Sequence, residues 1–306
     1  MEIVDAMKRR DFIKCVGVAG VFSLFGTIPL HGSTPDDTRT EGLKGPFDVA
    51  FDPAGNLLVT DPSRYRVVRL DSLNKPSTTF GKPGSGVGLL NFPKGIAVGP
   101  DGLIYVVDSN NCRVQVFDSN GSVKRVLGSI GSIGGCFSTP QGIFVDPQGK
   151  VFVADTRNHR IQVFLGENPI AVIGELGDAR DQFRLPTACA VNALGEIVVL
   201  DSKHGMIKLF DKDLNFRAGF SGPGKQPGLL NMPQGMALDG DGNIWVADTG
   251  NHRIQQFGPD GRFLFAAGKE GTGPDEFRNP TGITCVAGKT YVADNGNGRI
   301  QVLARM

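Results

Sequence analysis

Two ten-residue segments, DTRNHRIQVF from Asp155 and DTGNHRIQQF from Asp248, each bring an aspartate, a histidine and an arginine close together. These residue types can supply a catalytic group or a metal ligand, because imidazole transfers protons near neutral pH and binds metals readily. A catalytic group is needed only once or twice in a protein. A segment that occurs in many copies is therefore expected to have a structural role, and one that occurs once or twice could be catalytic or bind a metal.

The segment recurs six times. Its aspartates are 46 or 47 residues apart, at Asp61, Asp108, Asp155, Asp201, Asp248 and Asp294. Five copies have an arginine five residues later, at Arg66, Arg113, Arg160, Arg253 and Arg299. We interpret both sets as structural: the aspartates accept backbone N–H groups in the following turn, and the arginines pair with a neighbouring carboxylate or carbonyl. His159 and His252 belong to the same repeated turn and are assigned to the scaffold.

Each copy has the pattern of a four-stranded antiparallel meander. The fifth copy divides at the turn formers DGDGN and GPDGR into MALD, NIWVAD, RIQQF and RFLFAA, which are strand-sized and rich in apolar residues. One such unit cannot bury both of its faces alone, so six units arranged around an axis predict an all-β, six-bladed β-propeller. An apolar residue three positions before each repeat proline is expected to lie between blades: Leu43, Leu90, Phe137, Phe183, Leu230 and Phe277.

The sixth copy ends at RIQVLARM and lacks a fourth strand. Counting back from Pro46 with the repeat spacing places a candidate for this strand at residues 28–34, IPLHGST. The sequence predicts that the segment closes blade six if processing of the chain leaves it in place, and that blade six has an open edge otherwise.

The N-terminus has the layout of a secretory signal, with a basic cluster followed by a short apolar run. The segment RRDFIK, which contains Arg9 and Arg10, resembles the twin-arginine signal motif. We expect a short helical signal peptide and linker in residues 1–32, a propeller in residues 33–306, and export to the periplasm or another extracytoplasmic space. The apolar run is shorter than the ~20 residues of a membrane span, so a stable span is expected only as a signal anchor in uncleaved protein.

Composition argues against several classes of function. Lys and Arg total 32 against 31 for Asp and Glu, so no overall positive charge attracts nucleic acid, and no nucleic-acid partner is expected. The chain has no phosphate-binding G-x-x-x-x-G-K-[ST] or G-x-G-x-x-G motif and no C-x-x-C pair, so we expect no cofactor. Cys112 and Cys136 form a disulfide if their Cα atoms come within about 7 Å; otherwise they are free thiols.

The pattern P-x-G-[IM]-A-V-D followed by G-N-[IL]-x-V-A-D-[ST]-x-N-H-R-I-Q-x-F resembles the NHL repeat over roughly residues 43–306. The resemblance implies a propeller fold, and it implies little about function because such propellers serve as enzymes, receptors and scaffolds. It also places the residue after each repeat proline near the mouth of the central channel. Those residues are Phe47, Lys94, Gln141, Thr187, Gln234 and Thr281.

The amidating lyases, zinc enzymes with a similar propeller, have metal-binding histidines directly after this proline in three blades. None of the six residues here is His, Asp or Glu, so no metal is expected at this level. The catalytic tyrosine of those enzymes follows a repeat aspartate by two residues. That position holds Ser63, Asn110, Arg157, Lys203, Gly250 and Gly296 here, so an enzyme of that kind is not favoured.

The candidate site consists of residues that differ between copies. Four cations, Arg64, Lys94, Arg157 and Lys203, fall on blades one to four and predict a basic crescent on one side of the mouth. Such a crescent suits an unidentified protein partner or a small anionic ligand; the alternative is four solvated side chains. We expect an exported binding or interaction module, and the alternative function is a lyase or hydrolase with a site over the channel, similar to the amidating lyases, the streptogramin lyases or the gluconolactonase-like propellers.

Overall fold

The structure is a computed structural model that describes residues 42–71 and 75–304. Its strands form six antiparallel sheets, or blades, that follow one another along the chain. Blades one to five each have four strands, and blade six has three within the described residues. Two parallel pairs of very short strands lie in the connections between blades.

Blade one consists of β1 (Val49–Phe51), β2 (Leu57–Asp61), β3 (Arg66–Leu70) and β4 (Pro76–Phe80). Blade two consists of β5 (Pro93–Val98), β6 (Ile104–Asp108), β7 (Arg113–Phe117) and β8 (Val123–Leu127), and it is followed by the connecting pair β9 (Ser129–Ile130) and β10 (Cys136–Phe137). Blade three consists of β11 (Ile143–Val145), β12 (Lys150–Asp155), β13 (Arg160–Leu165) and β14 (Asn168–Ile173).

Blade four consists of β15 (Pro186–Val191), β16 (Ile197–Asp201), β17 (Met206–Phe210) and β18 (Phe216–Ser221). Blade five consists of β19 (Gly235–Leu238), β20 (Ile244–Asp248), β21 (Arg253–Phe257) and β22 (Phe263–Ala267), and it is followed by the connecting pair β23 (Lys269–Glu270) and β24 (Glu276–Phe277). Blade six consists of β25 (Pro280–Val286), β26 (Lys289–Asp294) and β27 (Arg299–Ala304).

The blades close into a ring. The first strand of each blade contacts the first strand of the next, and β25 contacts β1. At this junction the N–H of Gly282 donates to the carbonyl oxygen of Phe47 at 2.7 Å, and Asn295 Nδ2 donates to the carbonyl oxygen of Pro46 at 3.0 Å. Six apolar clusters fill the six spaces between neighbouring blades. The predicted all-β, six-bladed propeller is confirmed.

The apolar residues before the repeat prolines lie between blades, as the sequence predicts. Five of them, Leu90, Phe137, Phe183, Leu230 and Phe277, are fully buried, and Leu43 packs at the junction of blades six and one. The innermost strands also approach one another closely. A Cβ atom on Gly235 would lie 2.0 Å from the carbonyl oxygen of Thr281, which explains the glycine in the P-x-G pattern.

The turn after each second strand is a single turn of 3-10 helix in five blades, at Pro62–Arg64, Ser109–Asn111, Thr156–Asn158, Thr249–Asn251 and Asn295–Asn297. The residue after each turn is left-handed, and His159 (φ 57°) and His252 (φ 56°) occupy this position. Each histidine accepts, at Nδ1, a backbone N–H of the next blade at 3.1 Å: that of Leu185 for His159 and that of Asn279 for His252. Burial and, to a smaller extent, the charge of Arg184 lower the pKa of His159, which favours the neutral ring that this bond requires.

The repeat aspartates are buried acceptors. Asp155 is fully buried; its Oδ1 accepts the N–H of Ser138 at 2.7 Å, and its Oδ2 accepts Asn158 Nδ2 at 2.8 Å, Arg160 Nε at 2.8 Å and Gln162 Nε2 at 2.9 Å. The arginine also donates to two carbonyl oxygens of the preceding connection. This arrangement ties each second strand to the connection from the preceding blade. The glutamine was not anticipated from sequence.

Blade four has a different set of donors around its aspartate. Met206 takes the place of the arginine, and Asp201 Oδ2 instead contacts His204 Nδ1 at 2.7 Å and Lys208 Nζ at 2.9 Å. The second ring nitrogen of His204 lies 2.9 Å from Asp178 Oδ1 in the preceding connection. His204 lies three residues after the repeat aspartate, at the position of the asparagine in most other copies, and it replaces that asparagine as a partner of the carboxylate.

The thiols of Cys112, Cys136, Cys189 and Cys285 are free in the described part of the chain, so the structure has no disulfide between Cys112 and Cys136. No helix within residues 42–71 and 75–304 is long and apolar enough to cross a membrane. The predicted signal peptide, with Arg9 and Arg10, and the predicted strand at residues 28–34 lie outside the described residues.

Removing the repeat carboxylate is expected to destabilise the propeller strongly. Asp155→Ala removes the acceptor that the Ser138 N–H and the side chains of Asn158, Arg160 and Gln162 share, and it leaves the Arg160 charge without its partner, so the free energy of unfolding should fall by about 3–5 kcal/mol. Urea denaturation followed by circular dichroism measures this change. Asp213→Ala is the control, because Asp213 is exposed and pairs only with Lys212, and it should change stability by less than about 0.5 kcal/mol. Equal effects of the two substitutions would contradict the structural role.

The predicted closing strand can be tested by truncation. Protein that lacks residues 1–26 should melt at a higher temperature than protein that lacks residues 1–34, because only the former keeps the candidate fourth strand of blade six. Differential scanning calorimetry of both proteins makes the comparison. Identical melting temperatures would show that residues 28–34 do not complete this blade.

Candidate functional site

The first strand of every blade starts at the same end of the propeller axis, which we call the mouth face. The second strand runs antiparallel to the first and ends there at the repeat aspartate. The connections between blades and the turns after the aspartates therefore share this face. It brings together all the positions that the sequence singles out as variable between copies.

A narrow cavity of about 40 Å³ lies on the axis at this end. Four of the predicted site residues line it, namely Phe47, Thr187, Gln234 and Thr281. The volume suffices for one or two water molecules. Two of these residues use their hydroxyl groups to join blades: Thr187 Oγ1 donates to the carbonyl oxygen of Pro233 at 3.1 Å, and Thr281 Oγ1 to that of Phe47 at 2.7 Å.

A larger cavity of about 210 Å³ lies beside the axis and is lined by residues of blades two to five. We call it the side cavity. It is lined by Lys94, Thr139, Gln141, Thr156, Arg157, Leu185, Thr187, Ser202, Met232 and Gln234. Five of these, Lys94, Gln141, Arg157, Thr187 and Gln234, are predicted site residues. The other five come from blades three to five: Thr139, Leu185 and Met232 directly precede a repeat proline, and Thr156 and Ser202 directly follow a repeat aspartate. They were missed because the sequence analysis considered neither of these two positions.

The structure brings together only two of the four cations of the predicted basic crescent. Lys94, which is half-buried, and Arg157, which is exposed, line the side cavity, whereas Arg64 and Lys203 are exposed and do not line it. The Arg64 guanidinium donates to the carbonyl oxygen of Gly42 at the start of the described chain. Two of the four cations therefore border a common space, and the other two do not.

Lys94 is held in an aromatic environment. Its Nζ lies 5.2 Å from the ring centroid of Phe47 and 5.9 Å from that of Phe92, distances at which a ring face attracts a cation. Burial and, to a smaller extent, the positive charge of Arg157 lower the pKa of Lys94 to about 8. No acidic residue of the described chain forms an ion pair with Lys94 or Arg157. The cavity thus contains two neighbouring positive charges without a counter-ion.

Two buried polar atoms of the side cavity also have no hydrogen-bond partner among the described residues. They are Gln141 Oε1 and Ser202 Oγ. Ser202 is only 1% exposed. A buried polar atom without a partner is uncommon in proteins and costs roughly 1–3 kcal/mol. Both atoms are fully enclosed by protein, so neither is accessible to a molecule in the side cavity.

Asp48 is a functional candidate that the sequence analysis missed. It lies two residues after the repeat proline, where the other copies have glycine or, in blade four, Ala188, and it lines the axial cavity. Its Oδ1 accepts the N–H of Val49 at 2.9 Å and its Oδ2 that of Ile96 at 3.1 Å. Burial raises the pKa of its carboxyl to about 7 against the lowering effect of these two bonds. The sequence does contain a signal for this residue, because Asp48 has a carboxylate at a position where the other copies have only small residues.

The raised pKa of Asp48 predicts a pH-dependent stability. In the unfolded chain the Asp48 carboxyl loses its proton near pH 4, whereas in the folded protein it keeps the proton up to about pH 7. The free energy of unfolding therefore falls as the pH rises through this range. Asp48→Asn removes this dependence. Relative to the wild type, the variant should gain about 2–4 kcal/mol of unfolding free energy between pH 4 and pH 8. Urea denaturation at both pH values measures the difference, and a pH-independent difference would contradict the assignment.

Within the described ranges, no group of three or more His, Cys, Asp or Glu side chains is arranged to hold a metal ion. The polar residues that line the side cavity are instead cations, amides and hydroxyl groups. Their arrangement suits the binding of a negatively charged group.

Residues 90–117, 137–164 and 230–257 match the NHL repeat family. Among curated relatives, the Drosophila melanogaster protein brain tumor is 32% identical over 113 residues, which cover 36% of this chain and 10% of that protein. Mouse (Mus musculus) NHL repeat-containing protein 3 is 34% identical over 88 residues, which cover 28% and 25%. The chain thus spans a quarter or less of the length of these two relatives.

A solved streptogramin B lyase has the same fold, with a TM-score of 0.65 at 13% identity over 88% of this chain and 97% of that chain. The chain is therefore a six-bladed β-propeller that contains NHL repeats. These repeats include the two decapeptides, at blades three and five.

Proposed function

We propose that this protein is a binding module that takes an anionic group at the mouth face, from a small ligand or from an acidic segment of a partner protein. The observation that carries the proposal is the pair Lys94 and Arg157 in one cavity without a counter-ion in the described chain. An anion bound between them would gain charge-assisted hydrogen bonds, which are stronger than neutral ones. It would also relieve the repulsion between the two cations.

The relatives fit a binding role without specifying it. NHL propellers often act as interaction modules, and the matched relatives share only the repeats with this chain. Export by the twin-arginine route is part of the proposal and rests on the N-terminal sequence. An exported module with this cavity would meet its ligand outside the cytoplasm.

A lyase or hydrolase with a site over the channel is the alternative. The observation that favours it is the buried carboxyl of Asp48, since a carboxyl with a pKa of about 7 can act as a general acid or base at neutral pH. The axial cavity beside it holds only about 40 Å³, too small for an organic substrate. We therefore prefer the binding role.

The proposal predicts that neutralising the cavity cations weakens anion binding. The probes are 3-phenylpropionate and a tetraglutamate peptide, titrated by isothermal calorimetry at pH 7. Lys94→Met and Arg157→Met remove the charge and keep an unbranched side chain, and each should weaken binding at least about tenfold. Affinity should also fall as the pH rises above about 8, because Lys94 then loses its proton.

Two kinds of control accompany this test. Lys212→Met removes an exposed charge that pairs with Asp213 in the turn between β17 and β18, and it should leave binding unchanged. Arg64→Met and Lys203→Met report whether the exposed members of the crescent contribute, as they should for the peptide. Unchanged binding of both probes to Lys94→Met and Arg157→Met would overturn the proposal.

A further inference from the structure

We propose that the ligand of the side cavity is a small free carboxylic acid with an apolar body, because the apolar side chains of Leu185 and Met232, held on left-handed backbone, line the same cavity as the cations. The inference rests on the proposed anion site and names the chemical class that it binds. Its basis is the set of apolar residues directly before the repeat prolines, which a simple anion does not use.

The residue before the repeat proline has a left-handed backbone at five of the six junctions. The five are Phe92 (φ 58°), Thr139 (φ 46°), Leu185 (φ 55°), Met232 (φ 46°) and Asn279 (φ 49°). This conformation is strained for residues with a bulky or branched side chain, and asparagine is among the few types that adopt it readily. Blade six has asparagine here, whereas blades two, four and five have Phe92, Leu185 and Met232. Stability alone would favour asparagine at all of these positions.

Burial does not compensate for this strain at two of the positions. Phe92 is 39% exposed and Met232 is 41% exposed, whereas the apolar residues two positions earlier, Leu90 and Leu230, are fully buried. Apolar side chains that are both strained and exposed contribute little to the core, because the hydrophobic gain scales with the area removed from water. Strained residues that persist in a structure cluster at ligand-binding sites. The apolar residues before the prolines therefore point to a binding role.

These apolar residues lie beside the cations. Leu185 and Met232 line the side cavity together with Lys94 and Arg157, and the ring centroid of Phe92 lies 5.9 Å from Lys94 Nζ. A carboxylate joined to an apolar body matches both surfaces, since its charge pairs with the cations and its body covers the apolar side chains. Inorganic phosphate or a polar acid would leave the apolar surface in water.

The volume of the cavity limits the size of the acid. At about 210 Å³ it is below the roughly 300–1,000 Å³ of sites for drug-sized molecules. A free acid with one short aliphatic or aromatic body suits this space. The carboxylate at the end of a peptide would also need room for the residues that precede it.

Three matched compounds test the inference, each titrated by isothermal calorimetry at pH 7. The compound 3-phenylpropionate has the charge and the apolar body, propionate lacks the ring, and 3-phenylpropionamide lacks the charge. The first should bind at least about tenfold more tightly than either of the others, because it alone uses both the apolar surface and the cations. The peptide N-acetyl-Gly-Gly-Phe, which has the same ring and carboxylate at a chain end, should bind more weakly than 3-phenylpropionate.

Two variants assign the preference to the cavity wall. Met232→Asn and Leu185→Asn introduce the residue type that blade six has at this position. Each should weaken binding of 3-phenylpropionate about three- to fivefold and keep the affinity for propionate within about twofold of the wild type. Because asparagine relieves the left-handed backbone, Met232→Asn should melt at the same temperature as the wild type or at a higher one, whereas loss of a residue needed for the core would lower it.

The control variant is Ala287→Asn. Ala287 also has a left-handed backbone (φ 51°), but it is exposed in the turn between β25 and β26, at the end of the propeller opposite the mouth face. This substitution relieves the same conformation far from the cavity. It should leave the affinities for both acids unchanged.

The outcomes separate this inference from the proposed function. Equal affinities of the wild type for 3-phenylpropionate and propionate would overturn the inference alone and leave the anion site intact. A preference that survives in both Met232→Asn and Leu185→Asn would also overturn it, since the ring would then bind elsewhere. Tighter binding of the peptide than of 3-phenylpropionate would assign the site to a chain end and overturn the small acid. Failure of every acid to bind would contradict the anion site itself.

Discussion

The fold depends on a fully buried carboxylate at the end of the second strand of each blade. Burying a charge is costly unless donors surround it, and here the donors come from two directions. The following turn and third strand supply side chains, and the connection from the preceding blade supplies a backbone N–H. The carboxylate therefore fixes each blade to its neighbour as well as to itself. A ring of six such junctions leaves little freedom at the mouth face.

This rigidity positions the candidate site. The residue before the repeat proline is left-handed at five junctions, as at Phe92 and Met232, which directs the start of each inner strand toward the channel. Lys94, Arg157 and Thr187, from three different blades, then line one cavity without a dedicated binding loop. Groups held by a rigid scaffold lose little freedom on binding, which favours affinity for a small ligand.

Much of this architecture could be predicted from the sequence, because repetition exposes it. The six aspartates, the arginines and the apolar residues between blades recur at fixed spacing, and their structural roles follow from that recurrence. The side cavity could not be predicted in the same way. Its shape depends on side chains from four repeats, and a pattern read along the chain does not show which of these side chains meet. Asp48 lies at the second position after the repeat proline, where close packing of the inner strands favours glycine or alanine in the other copies, so the repeat pattern alone predicts a structural role for this position.

Blade four shows what the junction actually requires. Its aspartate is satisfied by a histidine and a lysine in place of the usual asparagine, arginine and glutamine, while Lys208 is as deeply buried as the residues it replaces. The buried carboxylate thus requires positive charge and hydrogen-bond donors around it, and different combinations of residues can supply them. Blades of this kind can diverge in sequence until only their electrostatics is shared, and a chain can hold more blades than its recognisable repeats suggest.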